Sequence, residues 1–156
     1  MGRIARIPIN QVQVSAAQDL FSIKAAKAKG VRIHGFYIAQ SSDFGDAQEE
    51  GMVLALKRFN SAATQGSGGS SATAVPQMTS DTLGFTARIN DTTRSSGGSP
   101  TVEEPHTWNV RVPYCFFYPP ELRPYIAPDE LKTLELVSPG ADAVTLTGWM
   151  AVEEEG

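Results

Sequence analysis

Few residues of this 156-residue chain could do chemistry. They are His34, His106, the single cysteine Cys115 and a handful of clustered carboxylates. A cysteine nucleophile needs a base within hydrogen-bond reach and a third group to orient that base. His34 lies in an apolar segment, His106 at the end of a loop and Cys115 inside the run VPYCFFY, so only the fold could join them. A thiol in such a run is expected to be buried and inert. The cluster Asp43, Asp46, Glu49 and Glu50 offers oxygen ligands. A calcium loop of the EF-hand type needs them at alternate positions with a glutamate at the twelfth, which this spacing does not match. A solvated turn or an intersubunit contact is expected there. Glu103 and Glu104 sit in a loop segment without flanking aromatics, which gives glycosidase chemistry no support. Glu153, Glu154 and Glu155 read as a solvated tail. The glycine runs GSGG and SSGG lack the lysine and following helix of a phosphate loop, and there is no nucleophile elbow or dinucleotide fingerprint. No catalytic residue, metal or cofactor is expected, and the chain does not read as an enzyme.

The elements that would carry these residues are strands. Short apolar segments alternate with turn residues at the spacing of a β-sandwich or barrel. Residues 31–39, 52–59, 83–89, 131–137 and 142–154 each read as a strand. Residues 107–118 read as one long strand with Trp108, Val110, Val112, Tyr114, Phe116 and Tyr118 on one face, at an edge or bulged at Pro113. Residues 15–30 are ambiguous. Ser15 and Gln18 have the spacing of a helix cap and Gly30 could end a helix, but Phe21, Ile23 and Ala25 alternate as in a strand. The loops 61–81 and 90–106 are rich in glycine and serine, a composition that is normally flexible. Residues 119–128 contain four prolines and form a stiff connector.

Charge is uneven. The net charge is −4, yet residues 1–32 sum to +5 and the rest to −9. The basic residues are too few for nucleic acid and lack interleaved stacking aromatics. No apolar run reaches the roughly 20 residues a membrane span needs. The N-terminus has no apolar block ending in a small-residue cleavage site, so synthesis in the cytoplasm without export is expected. Arg3 and Arg6 alternate with Ile4 and Ile7, which suggests residues 1–9 as an arm that meets an acidic neighbour. If Leu146 and Met150 face the core, Trp149 faces outward and marks an interface, unless a second layer or the arm covers it. Arg3, Ile4, Arg6, Ile7 and Trp149 are therefore the candidate interface residues, with the loop 61–81 beside them.

Three segments, QDLFSIKAA at 18–26, VRIHGFYIAQSSDFGDAQEE at 31–50 and the stretch from PPELRPYIAP to the end, resemble the head-decoration (cement) proteins of tailed bacteriophages. The resemblance covers over half the chain but has no motif of catalytic strictness. It implies a single jelly roll of about eight antiparallel strands over residues 10–156, behind an extended N-terminal arm at 1–9. It also implies a homotrimer on the surface of an icosahedral capsid, made in the host cytoplasm, with the major capsid protein as partner and no direct nucleic-acid or membrane contact. The alternatives are a ligand- or carbohydrate-binding β-sandwich of a receptor-binding structure and a single-jelly-roll coat protein.

Overall fold

A computed structural model describes residues 2–42 and 51–156 of the chain. The acidic cluster at 43–50 lies outside the described residues. Two antiparallel sheets pack face to face. The first has the order β10–β3–β12–β1–β6, with β9 on the same flank of β3 as β10. Its members are β1 (Arg3–Val14), β3 (Val31–Gln40), β6 (Val75–Pro76), β9 (Tyr114–Phe117), β10 (Tyr125–Ile126) and β12 (Val144–Glu154). The second has the order β5–β7–β2–β11–β4–β8. It comprises β2 (Gln18–Lys24), β4 (Gly51–Phe59), β5 (Ser70–Ala72), β7 (Thr86–Asp91), β8 (Thr101–Asn109) and β11 (Leu131–Ser138). With the outer strands β5, β6, β7 and β10 set aside, eight strands remain as two four-stranded sheets, β9–β3–β12–β1 and β2–β11–β4–β8. Chain order, alternating between the sheets except from β4 to β8, makes this jelly-roll connectivity, which yields a β-sandwich as expected.

The long strands of the first sheet form because one face is apolar at period two. In β1, Ala5, Ile7 and Ile9 point into the core while Arg6 and Pro8 point out. In β12, Leu146, Met150 and Val152 are buried in the same way. In β3 the phase changes at a bulge. Ile33 pairs with Val152 and Gly35 with Ala151, leaving His34 as the extra residue. Val31 and Ile33 face the core before the bulge, Phe36 and Ile38 after it. Gly35 is required there, because a Cβ would collide with the Phe116 carbonyl and the Phe117 ring.

Two expectations are corrected and one ambiguity is resolved. Residues 3–9 are no arm; they are the first part of β1, paired along their length with β12 and, at Ala5 and Arg6, also with β6. Their alternation was legible, but Ala5, Ile7 and Ile9 hold the inner face, and β12 at the other end of the chain is the partner. Residues 107–118 are two strands in different sheets. Asn109–Pro113 turns the chain, fixed by Trp108 Nε1 donating to the Val112 carbonyl and Val112 N–H to that of Asn109. Val112 is consequently 59% exposed. Residues 18–24 are strand, flanked by β7 and β11, which resolves the helix–strand ambiguity.

Candidate functional site

The two outer faces of the sandwich differ. In β2 and β11 nearly every residue is buried, on both faces of the strand. The cover is the chain itself. Segments 61–67 and 92–98 pair at Thr64–Ser96 and Ser67–Thr93 and roof the second sheet. Gln65 Nε2 donates to the Ser22 carbonyl at 3.2 Å and to Ser22 Oγ at 3.0 Å. Ser95 N–H donates to Asp19 at 2.7 Å, and Arg94 pairs with the buried Glu135, which also meets Lys57. Ala63 packs on Phe59 and Leu131. Small residues suit this roof because it lies close on backbone: a Cβ on Gly98, at φ +57°, would come within 2.9 Å of the Asn60 carbonyl oxygen. Within the loop 61–81, residues 61–67 are thus held on the second sheet, while Val75–Pro76 pairs with β1 of the first.

Burial of charge beneath the roof has a cost. Desolvation raises the pKa of Asp19, opposed by the Ser95 hydrogen bonds, while Glu135 and Asp91 nearby raise it further. Asp91 is fully buried and held by Arg88 at 2.7 Å, an interaction that raises the Arg88 pKa. Glu154 is another buried carboxylate, and the expected solvated tail is corrected at this residue. Its position in β12 aims it inward, where it accepts the N–H groups of Gly84 (2.6 Å) and Phe85 (3.0 Å) and pairs with Arg3 and Lys29.

Among the described residues, no such roof covers the centre of the first sheet. On its outer face Trp149 lies beside Tyr37, ring centroids 6.2 Å apart and nearly parallel, and 5.6 Å from Phe117. The Arg6 guanidinium sits 5.2 Å from the Trp149 ring centroid, within cation–π range. A shallow cleft of about 350 Å³ runs across Ala151 between Arg6 and Ile4 on one side and Phe117, His34 and Arg123 on the other. A second, of about 290 Å³, lies between Trp149, Pro8, Val75 and Pro76. Phe117 is 50% and Val75 57% exposed. Arg6 and Arg123 have no carboxylate partner among the described residues, and Arg123 Nε is buried without a hydrogen bond.

Of the interface candidates, Ile4, Arg6 and Trp149 share this face. Arg3 is engaged internally, with Glu154 at 3.4 Å and Asp81 at 4.0 Å. Ile7 is a core residue with no exposed surface, so its assignment to an interface is corrected: up to the irregularity after Ile9, β1 alternates with Ala5, Ile7 and Ile9 inward. Tyr37, Phe117, Val75 and Arg123 were missed. The signal for Tyr37 was its place next to Phe36, hidden by the phase change at Gly35.

Among the described residues the chemical candidates do not assemble into a catalytic group. Cys115 is exposed on β9 opposite Tyr37, because it alternates with the inward Tyr114 and Phe116, so the buried-thiol expectation is also corrected. His34 bonds Glu153 at 2.9 Å on the outer face. His106 points inward between the sheets, sharing a 2.9 Å hydrogen bond with the Tyr114 hydroxyl, edge-on to Phe36 and Phe116. Glu104 lies 3.4 Å from its Nε2 and accepts the Tyr118 hydroxyl at 2.6 Å. Burial first, then that bond to Glu104, pushes the Tyr118 phenol up. Glu103 pairs with Lys132 and Arg58. Among the described residues no group of three His, Cys, Asp or Glu side chains could hold a metal ion. No helix among them is long and apolar enough to cross a membrane.

No protein family and no curated protein matches the chain. Among solved structures, a chain of the T=1 particles derived from infectious bursal virus is similar with a TM-score of 0.25 and 18% identity, over 97% of this chain. This chain spans 40% of that one's length, and a superposition at that level carries no weight for fold or function.

Proposed function

We propose that the protein is a virion component, a capsid decoration (cement) protein whose unroofed sheet face is where copies meet, forming a homotrimer that seats on the major capsid protein. The observation that carries this reading is the Trp149–Tyr37–Phe117–Arg6 cluster on the sheet face that the described residues leave uncovered. Aromatic residues and arginine are the side chains that dominate binding energy in protein interfaces. Jelly-roll connectivity and the sequence resemblance agree with the role without fixing it, since a fold hosts many functions. The role is mechanical rather than catalytic. A protein that bridges several coat subunits binds only the closed shell and so stabilises that state by mass action.

Co-expression with a major coat protein, followed by sedimentation, tests the reading. The protein should travel with closed shells and not with unassembled coat subunits, and Trp149→Ala should remain at the top of the gradient. Full-length protein absent from the shell fraction would refute it. The aromatic row also suits a second reading, a carbohydrate platform. A glycan array would favour that reading if a defined sugar bound and Trp149→Ala abolished the signal.

A further inference from the structure

The first sheet carries two unlike features at its opposite flanks. On the β9/β10 flank, the 3-10 turn Pro120–Leu122 projects outward. Leu122, at 68% exposure, is the most exposed large apolar residue described. Glu121 beside it is exposed and has no ion pair among the described residues. On the β6 flank lies the 290 Å³ cleft walled by Pro8, Val75, Pro76 and Trp149, with the Arg6 guanidinium at its rim and no carboxylate to meet it. One flank thus offers an apolar knob with an anion, the other an apolar hole with a cation.

We propose that the turn Pro120–Leu122 of one copy docks in the Trp149–Val75 cleft of a second copy, Leu122 entering the cleft and Glu121 meeting Arg6. Knob and hole are different patches on opposite flanks of one sheet, so copies joined head to tail close a ring, as the proposed homotrimer requires, whereas a reciprocal pairing gives a two-fold dimer. Each copy in a ring makes the contact twice, once as donor and once as acceptor. Both elements are built in advance. Pro119 and Pro120 stiffen the turn, and Trp149 already stacks Arg6, so little conformational freedom is lost on docking. The proposal rests on the reading that the unroofed face is a self-contact and names the element that fills it.

Sedimentation equilibrium of the full chain, alone in buffer, tests it. Intact protein should be oligomeric at about 100 µM, and Leu122→Ser and Glu121→Arg should each raise the dissociation constant about tenfold or more, as for central interface contacts. Both side chains are exposed, so unchanged thermal melts should show the fold intact. Arg6→Glu alone should weaken the oligomer, and Arg6→Glu with Glu121→Arg should restore it. A monomer at that concentration overturns both the inference and the self-contact, leaving the cleft to a coat-protein segment or a sugar. An oligomer indifferent to all these changes overturns the inference alone. Failure of the double variant to recover, with both single variants weakened, overturns the Arg6–Glu121 pairing.

Discussion

Glu154 and Asp19 are both buried carboxylates, yet their surroundings give them opposite consequences. Glu154 is fully satisfied, with two backbone N–H groups on one oxygen and two cations nearby. Glu154→Ala should therefore lower unfolding free energy by about 2–4 kcal/mol, since the Gly84 and Phe85 N–H groups would lose their acceptor inside the sandwich. Urea denaturation at neutral pH measures it. Asp19 is under-satisfied, its Oδ1 without a partner and Glu135 and Asp91 close by. Its folded pKa lies above its unfolded value, chiefly because burial disfavours the charged form. The folded state thus holds that proton more tightly than the unfolded chain. The ionised carboxylate therefore costs stability above the folded pKa, and the penalty is relieved as pH falls through it toward the unfolded value. Asp19→Asn, whose amide oxygen can still accept from Ser95, should be more stable than the parent at pH 7. The difference should vanish near pH 3. Parallel urea titrations at both pH values decide it, and a variant weaker at pH 7 would contradict the account. Neither environment was legible in the sequence. Asp19 reads there as one acid in a basic stretch and Glu154 as the middle of an acidic tail, and only strand pairing reveals what each side chain is packed against.

The elements explain why a composition usual for flexible linkers is ordered here. Segments 61–67 and 92–98 lie on the second sheet through Gln65, Ser95 and Arg94 and the small apolar contact of Ala63. Gln65 reaches Ser22 twice and accepts the Thr86 hydroxyl at 2.9 Å. Gln65→Ala should free this roof without unfolding the sandwich. Hydrogen exchange should rise across 61–69 while β2 and β11 stay protected, at a cost of about 1–2 kcal/mol. Uniformly faster exchange would mean that the roof belongs to the cooperative core. Strand existence was readable at this scale from period-two alternation, as in Leu146, Met150 and Val152. What alternation could not give was phase and partner. The extra residue His34 flips β3 between Ile33 and Phe36, and the turn at Asn109–Pro113 sends two halves of one apolar run to different sheets. Both depend on backbone geometry that apolar composition does not encode.

At the scale of the whole molecule the two ends of the chain are one structural unit. Arg3 pairs with Glu154 and Val14 with Val144, so β1 and β12 lie side by side along the middle of the first sheet. Beyond β12 stands β3, and β1 carries β6 over Ala5 and Arg6 only. Pro8 falls past the end of β6, where β1 has β12 as its one neighbour and a missing N–H is tolerated. The β1–β12 pairing joins residues far apart in sequence, so its formation carries the closure entropy of a long loop. Removal of residues 2–7 should therefore abolish the native fold rather than trim it. The deletion takes Ala5 and Ile7 from the core, withdraws the cation Arg3 from Glu154, strips the upper half of β12 of a partner and leaves β6 unpaired. At about 25 cal/mol per Å² of apolar surface, the two core side chains alone are worth about 3 kcal/mol. The exposed N–H and C=O groups of β12 add to a deficit that approaches the 5–15 kcal/mol total typical of a domain. The truncated chain should show broad, poorly dispersed amide resonances and no cooperative thermal transition, where the full chain shows both dispersion and a sharp melt. A truncated protein that melts cooperatively within a few degrees of the parent would mean that β1 is held as a detachable arm after all, and would return Arg3 and Arg6 to the service of a neighbour.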